Sequence, residues 1–162
     1  MPAIRFSNPK TLAKPPGYSY VVETTGPGRV VYLAGQLGLD MDNKLVGAPG
    51  DFRAQCVKAF ENFGLALESV GASFKDLVKI NNYLVGMENI GILREVRDAH
   101  LNAAAMPAST TVAVSALARP GGLFEIEGIA VLPPARTKAA AKPASRRNGA
   151  KKKSAASRRK KR

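Results

Sequence analysis

The sequence predicts an α+β domain, one mixed sheet with two helices packed on one face. Three observations predict it. Segments rich in β-branched and aromatic residues are interrupted by two stretches of helical periodicity, in the order ββ(β)–α–β–α–ββ. The strands come in runs instead of alternating strictly with helices, which favours an α+β layer pair over a doubly wound parallel sheet. The composition changes at Pro133-Pro134, so the domain is expected over 1–134 and a basic tail over 135–162.

The elements follow in order. Ile4–Ser7 is a short strand candidate, stopped by Asn8-Pro9. Tyr18–Glu23 and Arg29–Ala34 flank Thr24-Thr25-Gly26-Pro27-Gly28, whose turn chemistry predicts a hairpin. Gln36–Gly50 carries glycines and turn residues and is expected to be a loop with a short strand. Asp51–Val70 is the strongest helix, with Asp51 as N-cap and Gly71 at the C′ position. Its expected apolar stripe is Val57, Phe60, Gly64, Leu67 and Val70. Leu77–Val85 is a buried strand, and Ile90–Leu101 a second amphipathic helix with Leu93, Val96 and His100 on one face. Ser109–Leu117 and Leu123–Leu132 close the domain, with Arg119-Pro120-Gly121-Gly122 as the turn between them. The sheet face away from the helices is not cleanly polar, and self-association is the simplest way to cover it.

The formal net charge of +13 belongs to the tail. Thirteen Lys/Arg and no acids lie from Arg136 onward, whereas 1–135 hold twelve of each sign. The tail is expected to be disordered, because its Ala, Lys, Arg, Ser and Pro cannot bury enough surface to offset ordering entropy. Its clusters suit sequence-independent, salt-sensitive polyanion binding, and the absence of interleaved aromatics argues against base stacking. Cys56 and His100 are the only residues of their kinds, which leaves no intramolecular disulfide and no Cys/His zinc set within one chain. The N-terminus has no apolar signal core and no apolar run is long enough to span a bilayer, so a soluble cytoplasmic protein is expected.

Period-2 faces on the last two strands concentrate the candidate chemistry. Ser109, Thr111, Ala113 and Ser115 form a small polar face on the first. On the second, Glu125 and Glu127 share a face roughly 7 Å apart. Two carboxylates that close, if partly buried, favour protonation of one, which suits general acid–base work; solvated or intersubunit-paired glutamates are the alternative. Arg94 and Arg97 lie one turn apart on the second helix, either as an exposed pair beside Glu95 and Asp98 or as an anion clamp. His100 and Cys56 read as structural.

Several segments together resemble the Rid/YjgF family of small proteins, from about Ile4 to Leu132. They are KPPGYSYVVE (14–23), VVYLAGQLGLD (30–40), the Gln…Asn-Leu…Gly helix and following strand within 54–87, and MPASTTVAVSALARPGGLFEIEGIAV (106–131). The resemblance implies a homotrimer with small-metabolite pockets at its subunit interfaces, each lined by Tyr18, the backbone near Ala34-Gly35, Ser109, Thr111 and Glu125. It also implies cofactor-independent hydrolysis of enamines and imines, with Glu125 helping to place the attacking water. In active members an arginine follows the Pro-Ala pair and grips the substrate carboxylate. Here Pro107-Ala108 is followed by Ser109, which has no charge and no fork. Arg94, Arg97 and Arg119 are the candidates to supply that clamp from elsewhere. Three readings follow: an enamine/imine deaminase or its descendant, a non-catalytic ligand-binding member, or a nucleic-acid-associated protein acting through 136–162, since some family members are described as ribonucleases or translation inhibitors.

Overall fold

The apolar stripes of two amphipathic helices meet one face of a four-stranded sheet, and that contact is the core. The computed structural model describes residues 2–134. Its elements are β1 (Ala3–Ser7), β2 (Val21–Thr25), β3 (Arg29–Leu37), α1 (Phe52–Glu68), a 3-10 turn (Phe74–Asp76), β4 (Leu77–Val85), α2 (Ile90–His100), β5 (Ala108–Val114) and β6 (Phe124–Leu132). The sheet runs β3-β6-β4-β5, parallel between β4 and β5 and antiparallel elsewhere. The expected basic tail lies outside the described residues.

Helix α1 starts where the Asp51 carboxylate accepts the Ala54 N–H at 2.9 Å, one of the donors a first turn leaves open. It ends in paired bonds from Gly71 N–H to the Glu68 carbonyl and from Ala72 N–H to the Leu67 carbonyl, a Schellman ending with Gly71 at φ +74°. The buried stripe is Phe52, Cys56, Ala59, Phe60, Phe63 and Leu67. Phe60 and Leu67 were expected there, but Val57 is exposed. The phenylalanines at 52, 60 and 63 set the orientation, because they carry more burial free energy than one valine. On α2, Leu93 and Val96 are buried, and the His100 ring stacks on Phe60 with centroids 5.1 Å apart. Phe60 in turn stacks on Phe124 of β6 at 5.8 Å.

The two central strands alternate cleanly. Ile80, Asn82 and Leu84 of β4 and Phe124, Ile126, Gly128 and Ala130 of β6 are buried under the helices. Lys79, Asn81 and Tyr83 of β4, with Glu125, Glu127 and Ile129 of β6, point to the opposite face, which no described helix covers. Large apolar side chains lie exposed on the outer strands, with Tyr32 at 78% and Val30 at 51% on β3.

Two expected pairings are corrected. The hairpin between 18–23 and 29–34 does not form: β2 pairs with β1 as a separate antiparallel ribbon, and β3 pairs with β6. Leu33 of β3 reaches the helix-covered core, whereas β2 has no fully buried residue, so only β3 is drawn into the main sheet. The single sheet expected is therefore a four-stranded mixed sheet plus a two-stranded ribbon. Nor are β5 and β6 neighbours, since β4 lies between them. The β4–α2–β5 crossover makes a parallel pair, and the chain from Ser115 to Leu123 steps over β4 to reach β6. Gln55 of α1 holds that connection by donating to the Gly121 carbonyl and accepting from Leu123 N–H. No helix among the described residues is long and apolar enough to cross a membrane.

Candidate functional site

The segment before β2 is pinned to the start of β5. Ser19 N–H donates to the Pro107 carbonyl at 3.2 Å, and Ser19 forms a parallel bridge with Ala108. That tie sets Tyr18 beside Ser109. Helix α2 closes the other side, leaving a cleft of about 260 Å³ lined by Tyr18, Ser109, Thr111, Arg94 and Arg97, with Pro16, Ile90 and Leu93 as its apolar wall. Of the candidates read from the sequence, Tyr18, Ser109 and Thr111 are therefore together, and both α2 arginines join them.

Asn82 lies beneath this cleft and was not singled out by sequence reasoning. It is 1% exposed, and its Nδ2 donates to Ser109 Oγ and Thr111 Oγ1, both at 3.2 Å. Its Oδ1 has no partner among the described residues. The signal that could have exposed it is a polar residue at an inward position of an otherwise apolar strand, LVKINNYLV.

Arg97 is the buried cation of the site, 8% exposed. Its Nε and Nη2 lie 2.8 and 2.7 Å from a single Asp98 oxygen. The guanidinium fits under Gly17, where a Cβ would stand 2.5 Å from Nη2, and Gly17 has φ +98°. Any side chain there would strain the backbone and force the guanidinium to shift. Arg94 is exposed at the rim. Arg119 is elsewhere, donating to the Asn43 carbonyl, and does not line the cleft.

Glu125 is on the other side of the sheet. Within one chain Ser109 and Glu125 lie on opposite sheet faces; the pocket expected to hold both is an intersubunit one. Ser109 and Thr111 share the helix-covered face with Asn82, whereas Glu125 is in register with Tyr83 on the open face. With β4 between β5 and β6, the faces of these two strands cannot be matched by counting through a turn. Glu125 instead sits over Gly35, where a Cβ would fall 1.7 Å from Oε1. The β3–β6 register shifts between Leu33 and Gln36, next to that contact. Partial burial, and secondarily the nearby charge of Glu127, raise the Glu125 carboxyl above the ordinary glutamate value. Glu127 goes the other way, lowered by hydrogen bonds from Asn81 Nδ2 and Tyr83 Oη, both at 2.8 Å. Glu125 is thus the carboxyl that holds a proton longer, chiefly through burial, and Glu127 the one its hydrogen bonds keep ionised.

His100 is lowered by burial against Phe60 and Phe74, and Cys56 is pushed up to about 12 by burial in the core. Neither reaches the cleft. No group of three or more His, Cys, Asp or Glu side chains among the described residues could hold a metal ion.

The chain has relatives in sequence and fold. The sequence model of the family described as Endoribonuclease L-PSP matches residues 10–132. A 2-iminobutanoate/2-iminopropanoate deaminase of Mus musculus is 32% identical over 117 residues, which cover 72% of this chain and 82% of that protein. A RutC family protein of Pyrococcus abyssi is 32% identical over 118 residues, 72% of this chain and 88% of its own. The chain belongs to the Rid/YjgF family. Among solved structures, a Rid family protein of unknown function from Yersinia pestis superposes with TM-score 0.70 at 32% identity, covering 80% of this chain and 98% of its own. RidA of an Antarctic Psychrobacter matches with TM-score 0.59 at 34% identity, over 78% and 98% of the two chains. In this Rid/YjgF chain the family match spans both candidate clusters, the α2–β5 cleft and the Glu125–Gly35 contact.

Proposed function

We propose that the protein is a homotrimeric enamine/imine deaminase of the 2-iminoacid type, working without a cofactor in the cytoplasm. The observation that carries this reading is the division of the site into two halves on opposite sheet faces. One half, Tyr18, Ser109, Thr111 and the α2 arginines, can bind a small anion. The other, Glu125 over Gly35, can manage a proton. Neither half is complete alone, and a trimer that buries the open face of each sheet against the next subunit supplies a way to join them. The exposed Val30 and Tyr32 support that burial, since large uncovered apolar side chains on a sheet face favour association.

In the joined pocket, Glu125 orients a water and accepts its proton as the oxygen attacks the C=N carbon. The same carboxyl returns that proton to nitrogen to give the tetrahedral carbinolamine, then takes the hydroxyl proton and passes it to nitrogen as the C–N bond breaks, releasing ammonia and a 2-oxo acid. A carboxyl with a raised proton affinity suits both steps. The test is ammonia release from iminoacids generated in situ. A rate well above buffer that Glu125→Ala abolishes supports the reading, and no rate above buffer rejects it.

Ser109 favours a second reading, a non-catalytic ligand-binding member, because a hydroxyl cannot replace a bidentate cation at a carboxylate. Nucleic-acid association through 136–162 is the third. Deleting 136–162 should abolish low-salt retention on DNA or RNA without changing oligomeric state, and unchanged retention rejects it.

A further inference from the structure

We infer that Arg97, delivered from α2 and assisted by Arg94, is the carboxylate clamp of this protein, selecting small 2-oxo or 2-imino acids at the cleft where Ser109 stands. The inference deepens the proposed reading by naming the group that holds the substrate's anionic end.

Four observations carry it. First, Arg97 is nearly buried yet opens onto the cleft with Ser109 and Thr111. A buried cation is costly unless it is paired and saturated with acceptors. Second, its pairing is incomplete. Asp98 occupies only the Nε/Nη2 edge, through one oxygen, and that carboxylate is itself 58% exposed. No partner among the described residues takes Nη1, so the Nη1/Nη2 edge is left for a second carboxylate. A guanidinium has five donors in a planar fork, and one edge serves to orient it while the other binds. Third, the approach is built in: Gly17 admits the guanidinium where any Cβ would collide with Nη2. Fourth, the floor is polar and fixed. Buried Asn82 donates to both the Ser109 and Thr111 hydroxyls, so each hydroxyl hydrogen is free to point at an anion in the cleft. The volume of about 260 Å³ accommodates a ligand of several non-hydrogen atoms. Serine at 109 then has a positive role: a long side chain from β5 would occupy the space into which the α2 arginines project.

The test is equilibrium binding of 2-oxobutanoate to the full chain by calorimetry, which reads the clamp without requiring turnover. The wild type should bind 2-oxobutanoate at least tenfold more tightly than its uncharged primary amide. Arg97→Met should weaken the acid at least tenfold and the amide little, and Arg94→Ala should weaken the acid severalfold. Equal affinity for acid and amide, or an Arg97→Met protein that binds the acid as wild type does, overturns the inference. If Arg97→Met does not fold, Arg97→Lys replaces it. That variant keeps the charge and loses the fork, and must still weaken the acid at least fivefold. Binding with no ammonia release would reject the deaminase reading and leave the clamp standing, whereas ammonia release indifferent to Arg97 would do the reverse.

Discussion

Substituting Gly35 by alanine tests the placement of the proton-handling group with a single methyl. The added Cβ would lie 1.7 Å from Glu125 Oε1, 2.7 Å from its Cδ and 3.1 Å from its Cγ. Ordinary contact begins near 3.4 Å, so the carboxylate must retreat by about 1.7 Å. Glu125 is on the open face and can swing, so the stability cost is that of a displaced rotamer, about 1 kcal/mol, which lowers Tm by roughly 3–6 °C in a domain of this size. The catalytic cost is larger, because a misplacement of about 1 Å can lower a rate ~100-fold. The assay is kcat/KM for ammonia release from in situ iminoacids, run beside thermal melts for Gly35→Ala, Glu125→Ala and the double variant. The single variants should each lose activity, and the double should be no worse than Glu125→Ala, because both act through one carboxylate. A Gly35→Ala protein within threefold of wild-type activity would refute the reasoning, as would a double variant with additive losses.

Three further outcomes follow from the titrations. Carboxyl-detected NMR should place the Glu125 midpoint above and the Glu127 midpoint below the ordinary glutamate value, and Glu127→Gln should bring Glu125 down by removing the adjacent charge. Raised in the fold, Glu125 contributes stability that is present below its unfolded value and lost as pH rises through its folded one, while any activity that uses its carboxylate grows over that same interval. His100 is lowered by burial, so its contribution is present above the unfolded histidine value and falls as pH drops through the folded value. Melts between pH 7.5 and pH 5 should show a larger Tm loss for wild type than for His100→Phe, and equal losses would contradict the burial account. Cys56, fully buried and raised to about 12, should resist a thiol reagent at pH 8 until the protein is denatured; rapid native labelling would show that the core around Phe60 opens.

Where short-range physics decides, the sequence was enough. Asp51 caps α1 because an aspartate before an apolar repeat can accept the open N–H groups locally. Gly71 ends it for an equally local reason, and β4 and α2 follow from their own periodicities. The close glutamates were also legible, since strand period alone puts 125 and 127 on one side. The division of their proton affinities was not, because it depends on Asn81 and Tyr83 arriving from β4.

Strand partnership belonged to the tertiary structure. A turn sequence says that the chain reverses, but which strand lies alongside depends on which one can bury a face under the helices. That choice sent β3 to β6, set β2 aside with β1, and inserted β4 between β5 and β6. It also decided the site. The residues at 109, 111 and 125 could be named from the sequence, but their sheet faces could not. Neither could the entry of Arg97 beneath Gly17, because residues 80 positions apart are brought together only by the packing of α2 beside the start of β5.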